Sequence, residues 1–194
     1  MREDTDYGGS SYWADFAPDG RLVTTCYDGD LRLYSPGFEL QQRRPAPGGK
    51  RPFSAHFSPD GRRVAVGFDD STAVDILSGE DLGHLYSPDT SGVTNGDISS
   101  VAWSVDGEYL YASGRYDDGT GNNPIRRWGR AGRGDYLDLP GAKTTIMQLL
   151  PLADGEELPA LFPHADGKRW VAWTPEGFFE ALFRFVWVEK ETTA

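Results

Sequence analysis

The sequence predicts an all-β protein built from repeated antiparallel hairpins. Short segments of strand-forming residues are separated by turns rich in Asp, Gly and Pro, and the 194-residue chain contains 24 Gly and 13 Pro. Such a composition is typical of folds with many short strands and tight turns. No stretch longer than about ten residues shows an apolar stripe with the helical period of 3.6, so we predict no major helix.

One pattern of ten residues occurs three times and begins at Ala14, Ala55 and Val101. Each copy has a small apolar residue, an aromatic residue two positions later, an Asp-Gly pair, and then a strand that begins with Val or Leu. Because residues two apart in a strand share a face, the small and aromatic residues point to the same side. Asp can bond to the neighbouring backbone and Gly accepts a positive φ, so each copy predicts a hairpin with a tight turn.

The spacing of these turns predicts how the hairpins are arranged. Asp60 lies 41 residues after Asp19, and Asp106 lies 46 residues after Asp60. Each unit continues with a second acidic turn and a third strand, which leaves room for a fourth strand in the connections. A four-stranded propeller blade repeats about every 40–45 residues. The sequence therefore predicts a β-propeller with about three to four blades.

The hairpin at residues 57–67 resembles the central hairpin of the WD40 repeat family. Trp128 stands where that family often has the tryptophan of its Trp-Asp pair, whereas Tyr34 and Leu77 take this place in the other two units. The resemblance covers about residues 12–155. It implies a WD40-like propeller, and it implies a function in binding other proteins as a scaffold or as a sensor or regulatory module.

The repeat breaks down near the C-terminus, where Asp-Gly pairs begin at both Asp154 and Asp166. A spacing of 12 residues is too short for a blade. The segment 170–179 resembles one found near the C-terminus of long bacterial WD40-type proteins, some of which carry caspase-like or TIR effector domains. Either the chain is a truncated or internally deleted member of that group, or its last blade has two hairpins. The predicted organisation is a polar segment over 1–11, blades over 12–180 and an atypical tail over 181–194.

The predicted blade number leaves open whether the ring closes. An open propeller exposes unpaired backbone groups and apolar surface at its ends. We therefore expect the protein to self-associate through open propeller edges. The alternating residues Phe183, Phe185 and Trp187 add to this tendency unless their segment pairs as a strand.

Charge and composition exclude several classes of partner. The net charge of −11 repels phosphate backbones, so we expect no nucleic-acid partner. The arginine run over 126–133 is interpreted as a solvated loop. No segment approaches the roughly 20 apolar residues of a membrane span, the N-terminus lacks the apolar run of a signal peptide, and the single Cys26 cannot form an internal disulfide. These features predict a cytoplasmic protein.

The sequence contains no convincing catalytic or metal-binding pattern. His56, His84 and His164 lack ligand spacing, and we interpret His56 as an ordinary strand residue. Cys26 has no neighbouring base and is expected to be buried. The loop 116–123 resembles a calcium loop only in composition, because it lacks a distal Glu. We predict no cofactor, no metal and no enzymatic activity.

A protein-binding scaffold is therefore the preferred hypothesis. Loops on a rigid propeller present side chains to partners, and interface anchors tend to be Trp, Tyr and Arg. Two alternatives stay open: a propeller enzyme or metal-binding lectin-like module that uses the central channel, and a fragment without a selected role. The predicted protein-binding residues are Arg115, Tyr116, Arg126 and Arg133. The large aromatic residues assigned to the core are Phe16, Phe57, Trp103 and Trp128.

Overall fold

A computed structural model confirms the all-β prediction and shows, in the residues that it describes, three four-stranded antiparallel sheets and one three-stranded sheet. We call the four-stranded sheets blades 1, 2 and 3. The residues that the structure describes are 5–117, 119, 121–142, 160–163, 170–174 and 177–179.

The strands of each sheet pair in the order in which they occur in the chain. Blade 1 comprises β1 (Ser11–Phe16), β2 (Leu22–Cys26), β3 (Asp30–Tyr34) and β4 (Leu40–Pro45). Blade 2 comprises β5 (Pro52–Phe57), β6 (Arg63–Phe68), β7 (Val74–Ser78) and β8 (His84–Tyr86). Blade 3 comprises β9 (Ser100–Trp103), β10 (Leu110–Ser113), β11 (Asn123–Trp128) and β12 (Tyr136–Ala142), with a short 3₁₀ helix, η1 (Arg130–Gly132), after β11. The three-stranded sheet comprises β13 (Ala160–Pro163), β14 (Trp170–Thr174) and β15 (Gly177–Phe179).

The three Asp-Gly turns lie in equivalent places, between the first and second strands of each blade. Gly20, Gly61 and Gly107 have φ angles of 87°, 69° and 72°, which an L-residue rarely adopts. Each donates its N–H to the carbonyl three residues earlier, at 2.9, 2.8 and 2.9 Å. The predicted repeat is thus a repeat in three dimensions. The turns predicted at Asp154 and Asp166 and the tail 181–194 lie outside the described residues.

The turn of blade 1 is one residue shorter than the others. Phe16 pairs with Leu22, six positions on, whereas Phe57 pairs with Val64, seven positions on, as in blade 3. The ten-residue pattern aligns Val23 with Val64 in the sequence, whereas in the structure the shorter turn brings Leu22 into the position of Val64. Val23 faces the opposite side of the sheet and packs between blades 1 and 2.

The hydrophobic core lies between neighbouring blades rather than within one sheet. Buried apolar side chains of blades 1 and 2 form one cluster, and those of blades 2 and 3 form another. Phe57, Trp103 and Trp128 are buried in these clusters, and Cys26 is also buried, as the sequence predicted. Burial of aromatic and aliphatic surface between stacked sheets is the main force that holds the blades together.

The assignment of Phe16 to the core was wrong. Phe16 occupies the position of Phe57 and Trp103, but its side chain is 58% exposed. Phe57 and Trp103 each pack towards the preceding blade. Blade 1 contributes Val23, Leu31 and Leu33 to the described cluster from its opposite face, and Phe16 is not part of that cluster.

Candidate protein-binding surface

The antiparallel order places two sets of loops at opposite ends of the blades. The Asp-Gly turns and the connections between third and fourth strands lie at one end, which we call the turn end. The connectors that enter each blade, and the loops between second and third strands, lie at the other, which we call the loop end. Arg115 follows β10 and therefore lies at the loop end.

Arg115 is exposed yet held by two partners. Its Nε donates to Oδ2 of Asp97 at 2.6 Å, and its Nη2 donates to the carbonyl of Asp69 at 3.0 Å. The hydrogen bond and charge of Asp97 raise the pKa of Arg115. Because Asp97 lies in the connector into blade 3 and Asp69 follows β6, the guanidinium spans two blades, while its side chain stays 59% exposed.

A second arginine and a tyrosine extend this arrangement towards blade 1. The hydroxyl of Tyr27 donates to Oδ2 of Asp69, and the guanidinium carbon of Arg51 lies 5.7 Å from the centre of the Tyr27 ring. Nε of Arg51 is 3.5 Å from Oδ1 of Asp69. Burial and the bond to Asp69 raise the pKa of Tyr27, so its hydroxyl stays protonated and remains a donor. Asp69 thereby links Tyr27, Arg51 and Arg115.

Three aromatic rings complete the surface. Tyr12 stacks on Tyr27 with ring centres 4.1 Å apart, and it stacks on Phe53 at 5.6 Å. Tyr12 is one of the exposed large hydrophobic residues. We call the set of Tyr12, Tyr27, Arg51, Phe53 and Arg115 the Arg–Tyr surface. It combines side chains from blades 1 and 2 with Arg115 from blade 3.

Sequence reasoning found only one member of this surface. The sequence signal for the others was weak: Tyr12 and Phe53 stand near the start of a first strand in blades 1 and 2, and Tyr27 begins the turn after β2. Proximity across blades depends on how the blades stack, and a linear pattern does not give this.

Two of the predicted binding residues point inwards. Tyr116 is buried, and burial raises the pKa of its hydroxyl. Arg126 is also buried, in β11, and donates to both carboxylate oxygens of Asp138 at 2.7 Å. The interpretation of residues 126–133 as a solvated loop was therefore wrong for Arg126, because a paired carboxylate and backbone carbonyls satisfy its charge inside the fold.

The fourth predicted residue, Arg133, is exposed but distant in the fold from Arg115. It follows η1 in the connection between β11 and β12, which lies at the turn end. Its guanidinium carbon lies 4.1 Å from the centre of the Tyr86 ring. The structure thus separates the two exposed arginines of the predicted set to opposite ends of the blades.

Neither a metal-binding cluster nor a membrane-spanning helix occurs in the described part of the chain. No cluster of three or more His, Cys, Asp and Glu is arranged there to hold a metal ion. No helix in that part is long and apolar enough to cross a membrane.

Comparison with known proteins agrees with this geometry. The family model described as "WD domain, G-beta repeat" matches residues 10–35 and 84–120, which include β1 to β3 and β8 to β10. No curated protein sequence matches the chain.

Two solved structures share the fold. The computationally designed Ika4 protein aligns with a TM-score of 0.59 and 16% identity, over 91% of this chain and 95% of its own. U3-55K aligns with a TM-score of 0.69 and 20% identity, over 88% of this chain and 51% of its own, so this chain spans about half of the U3-55K chain. At these identities the likeness is one of fold. The all-β architecture and its stacked four-stranded sheets define a β-propeller-like protein. The two stretches that match the WD40 repeat model and the fold shared with these solved structures together support a WD40 β-propeller-like protein.

Proposed function

We propose that the protein is a non-catalytic interaction scaffold that binds a protein partner through the Arg–Tyr surface. WD40 repeats are in general protein-interaction scaffolds. The observation that carries the proposal is the geometry of Arg115, whose guanidinium is exposed but fixed by Asp97 and by the carbonyl of Asp69. A side chain already held in place loses less conformational entropy on binding.

The chemistry of the surface indicates the kind of partner. Arg51 and Arg115 can each donate to a carboxylate, and Arg–carboxylate bonds are among the stronger hydrogen bonds in proteins. The stacked rings offer apolar area next to these donors, and Tyr and Arg are enriched among residues that dominate interfaces. The proposed partner segment therefore carries an acidic side chain beside an aromatic or aliphatic one. A cytoplasmic setting for this interaction stays a prediction from the sequence.

Peptide selection with defined variants tests this proposal. Random peptides displayed on phage would be selected on the immobilised full chain, and the affinities of synthetic copies measured by calorimetry. We expect Arg115→Ala to weaken binding at least tenfold, since a dominant interface residue contributes about 2 kcal/mol. Arg133→Ala, the matched control at the turn end, should bind like the unchanged protein. Equal affinities for Arg115→Ala and the unchanged protein would refute the proposed surface.

A further inference from the structure

A cavity of about 350 Å³ lies at the turn end, opposite the Arg–Tyr surface. The ends of β1, β5 and β9 and the first residues of the Asp-Gly turns line it. Its wall is mainly apolar and includes Phe16, Phe57, Trp103 and Val105. A cavity of this size accommodates a small organic ligand.

One carboxylate, that of Asp15, lines this cavity. Its Oδ2 accepts the backbone N–H of Phe57 at 2.8 Å, while its Oδ1 has no hydrogen-bond partner among the described residues. The side chain is 29% exposed, so a ligand can reach it. A carboxylate in largely apolar surroundings gains most from a cationic partner, since its hydration is incomplete there.

The nearest titratable neighbour does not neutralise Asp15. Nδ1 of His56 lies 3.7 Å from Oδ2 of Asp15. Burial lowers the pKa of His56 despite the opposing attraction of Asp15, so the imidazole is neutral at pH 7. No Lys or Arg side chain is among the described residues that line the cavity with Asp15.

Two arginines lie close to the cavity walls. The guanidinium carbon of Arg21 is 5.6 Å from the centre of the Phe57 ring, and its Nη2 donates to the carbonyl of Gly61 at 3.0 Å. Nε of Arg21 is 2.8 Å from a carboxylate oxygen of Asp19. Arg63 lies outside the lining, with its guanidinium carbon 5.2 Å from the centre of the Trp103 ring and its Nη2 3.7 Å from Asp60. Neither arginine lines the cavity, and each has an acidic neighbour of its own.

We propose that this cavity binds a small organic cation, with an ammonium or guanidinium group against Asp15 and an apolar body against the aromatic wall. The exposed ring of Phe16 and the edges of Phe57 and Trp103 that line the cavity offer apolar surface for that body. This site lies at the other end of the blades from the Arg–Tyr surface, so the inference goes beyond the proposed function and does not depend on it.

Three ligands of similar size and different charge test the inference on the full chain. Calorimetry or NMR titration would compare 2-phenylethylammonium, 2-phenylethanol and 3-phenylpropionate. We expect the ammonium compound to bind about tenfold more tightly than the alcohol, because hydrogen bonds to a charged group contribute more than neutral ones. The anion should bind most weakly. Equal binding of the ammonium compound and the alcohol, or no binding of either at millimolar concentration, would overturn the proposal.

Variants then locate the site. Asp15→Asn keeps an oxygen that accepts the N–H of Phe57 but removes the charge, so the ammonium compound should bind no better than the alcohol. Val105→Trp at the rim should fill the cavity and weaken both ligands. Glu80→Gln removes one negative charge from an exposed position outside the cavity and should change neither affinity. An ammonium affinity that survives both Asp15→Asn and Val105→Trp would place binding elsewhere and contradict the inference.

Discussion

Arg32 and Asp75 occupy the same position in the third strands of blades 1 and 2, although their charges are opposite. Arg32 pairs with Thr24, and Asp75 pairs with Val66, in corresponding registers. Arg126 takes this position in blade 3, and all three side chains are buried. Each blade thus buries a charged group at the same place in its sheet.

This shared position fixes the chain that enters each blade. The buried side chain bonds to a backbone group of the connector that precedes its blade, or of the N-terminal segment in blade 1. The pairs are Arg32 with the carbonyl of Asp6, Asp75 with the N–H of Gly48 at 2.6 Å, and Arg126 with the carbonyl of Ser91 at 2.7 Å. A buried charged side chain needs hydrogen-bond partners, and either a donor or an acceptor serves, depending on which backbone group the connector presents.

The first prediction compares two neighbouring arginines in β11. Arg126→Ala should lower the free energy of unfolding by about 2–3 kcal/mol, because it leaves backbone carbonyls and Asp138 without their partner. Arg127→Ala should cost about 0.5 kcal/mol, since Arg127 is only partly buried and its guanidinium carbon lies 4.9 Å from the centre of the Tyr109 ring. Urea denaturation measures both values. Equal losses would show that Arg126 does not fix the connector.

A second prediction separates two roles of glycine. A Cβ at Gly67 would lie 2.7 Å from the carbonyl oxygen of Ser99 and 2.8 Å from that of Ile98, where blades 2 and 3 meet. Gly67→Ala should therefore force the blades apart and cost about 2–3 kcal/mol.

Gly107 provides the matched comparison. A Cβ there would meet its nearest neighbour, Pro59, at an ordinary 3.5 Å, so the cost arises from the positive φ alone. Gly107→Ala should cost about 1 kcal/mol. Chemical denaturation of the two variants measures the difference, and a larger loss for Gly107→Ala would contradict the close contact between blades at Gly67.

Local chemistry explains which parts of the fold were predictable from the sequence. The Asp-Gly turns were found because φ preference and side-chain bonding act within a few residues. The burial of Phe57 and Trp103 followed from strand alternation combined with repetition. Phe16 broke this rule because its burial depends on a neighbouring blade, which strand alternation does not reveal.

The site was less predictable than the fold, for a related reason. The sequence treated Arg126 as solvated because isolated charges usually are, yet Asp138 and two backbone carbonyls from the connector into blade 3 surround it. Tyr27 and Arg51 are 24 positions apart in the chain and meet only because blades 1 and 2 stack. Contacts between blades determine both the buried charges and the Arg–Tyr surface.

The position of Phe16 leads to a prediction about stability. Phe57→Ala should lower the free energy of unfolding by about 3–4 kcal/mol, because it leaves a cavity between blades 1 and 2. Phe16→Ala should cost less than about 1 kcal/mol, since the ring is mostly exposed. Thermal or urea unfolding would compare the two, and a comparable loss at Phe16 would mean that this ring is covered.

The same exposed ring leads to a prediction about self-association. Phe16 and Phe38 meet edge to face at 6.5 Å and are both exposed on blade 1. We expect the protein to self-associate at micromolar concentration through this side of blade 1. The double variant Phe16→Ser, Phe38→Ser should weaken this association, and sedimentation velocity measures the fraction of associated protein. Leu85→Ser, at an exposed position in blade 2, is the control and should have no effect. A wholly monomeric protein at that concentration would contradict this expectation.

His56 should make the stability depend on pH between 7 and 5. Burial lowers the pKa of His56 in the folded protein below its usual 6.5, although Asp15 partly opposes this. As the pH falls through 6.5, the unfolded chain binds a proton before the folded one does, so stability present above 6.5 is progressively lost. The free energy of unfolding should fall by up to about 1.4 kcal/mol per pH unit from this group. His56→Gln should reduce that slope. Hydrogen bonds in their turns lower the pKa values of Asp60 and Asp106. These two carboxylates therefore titrate below pH 5 and do not contribute to the slope between pH 7 and 5. A slope that His56→Gln leaves intact would mean that another group takes up the proton.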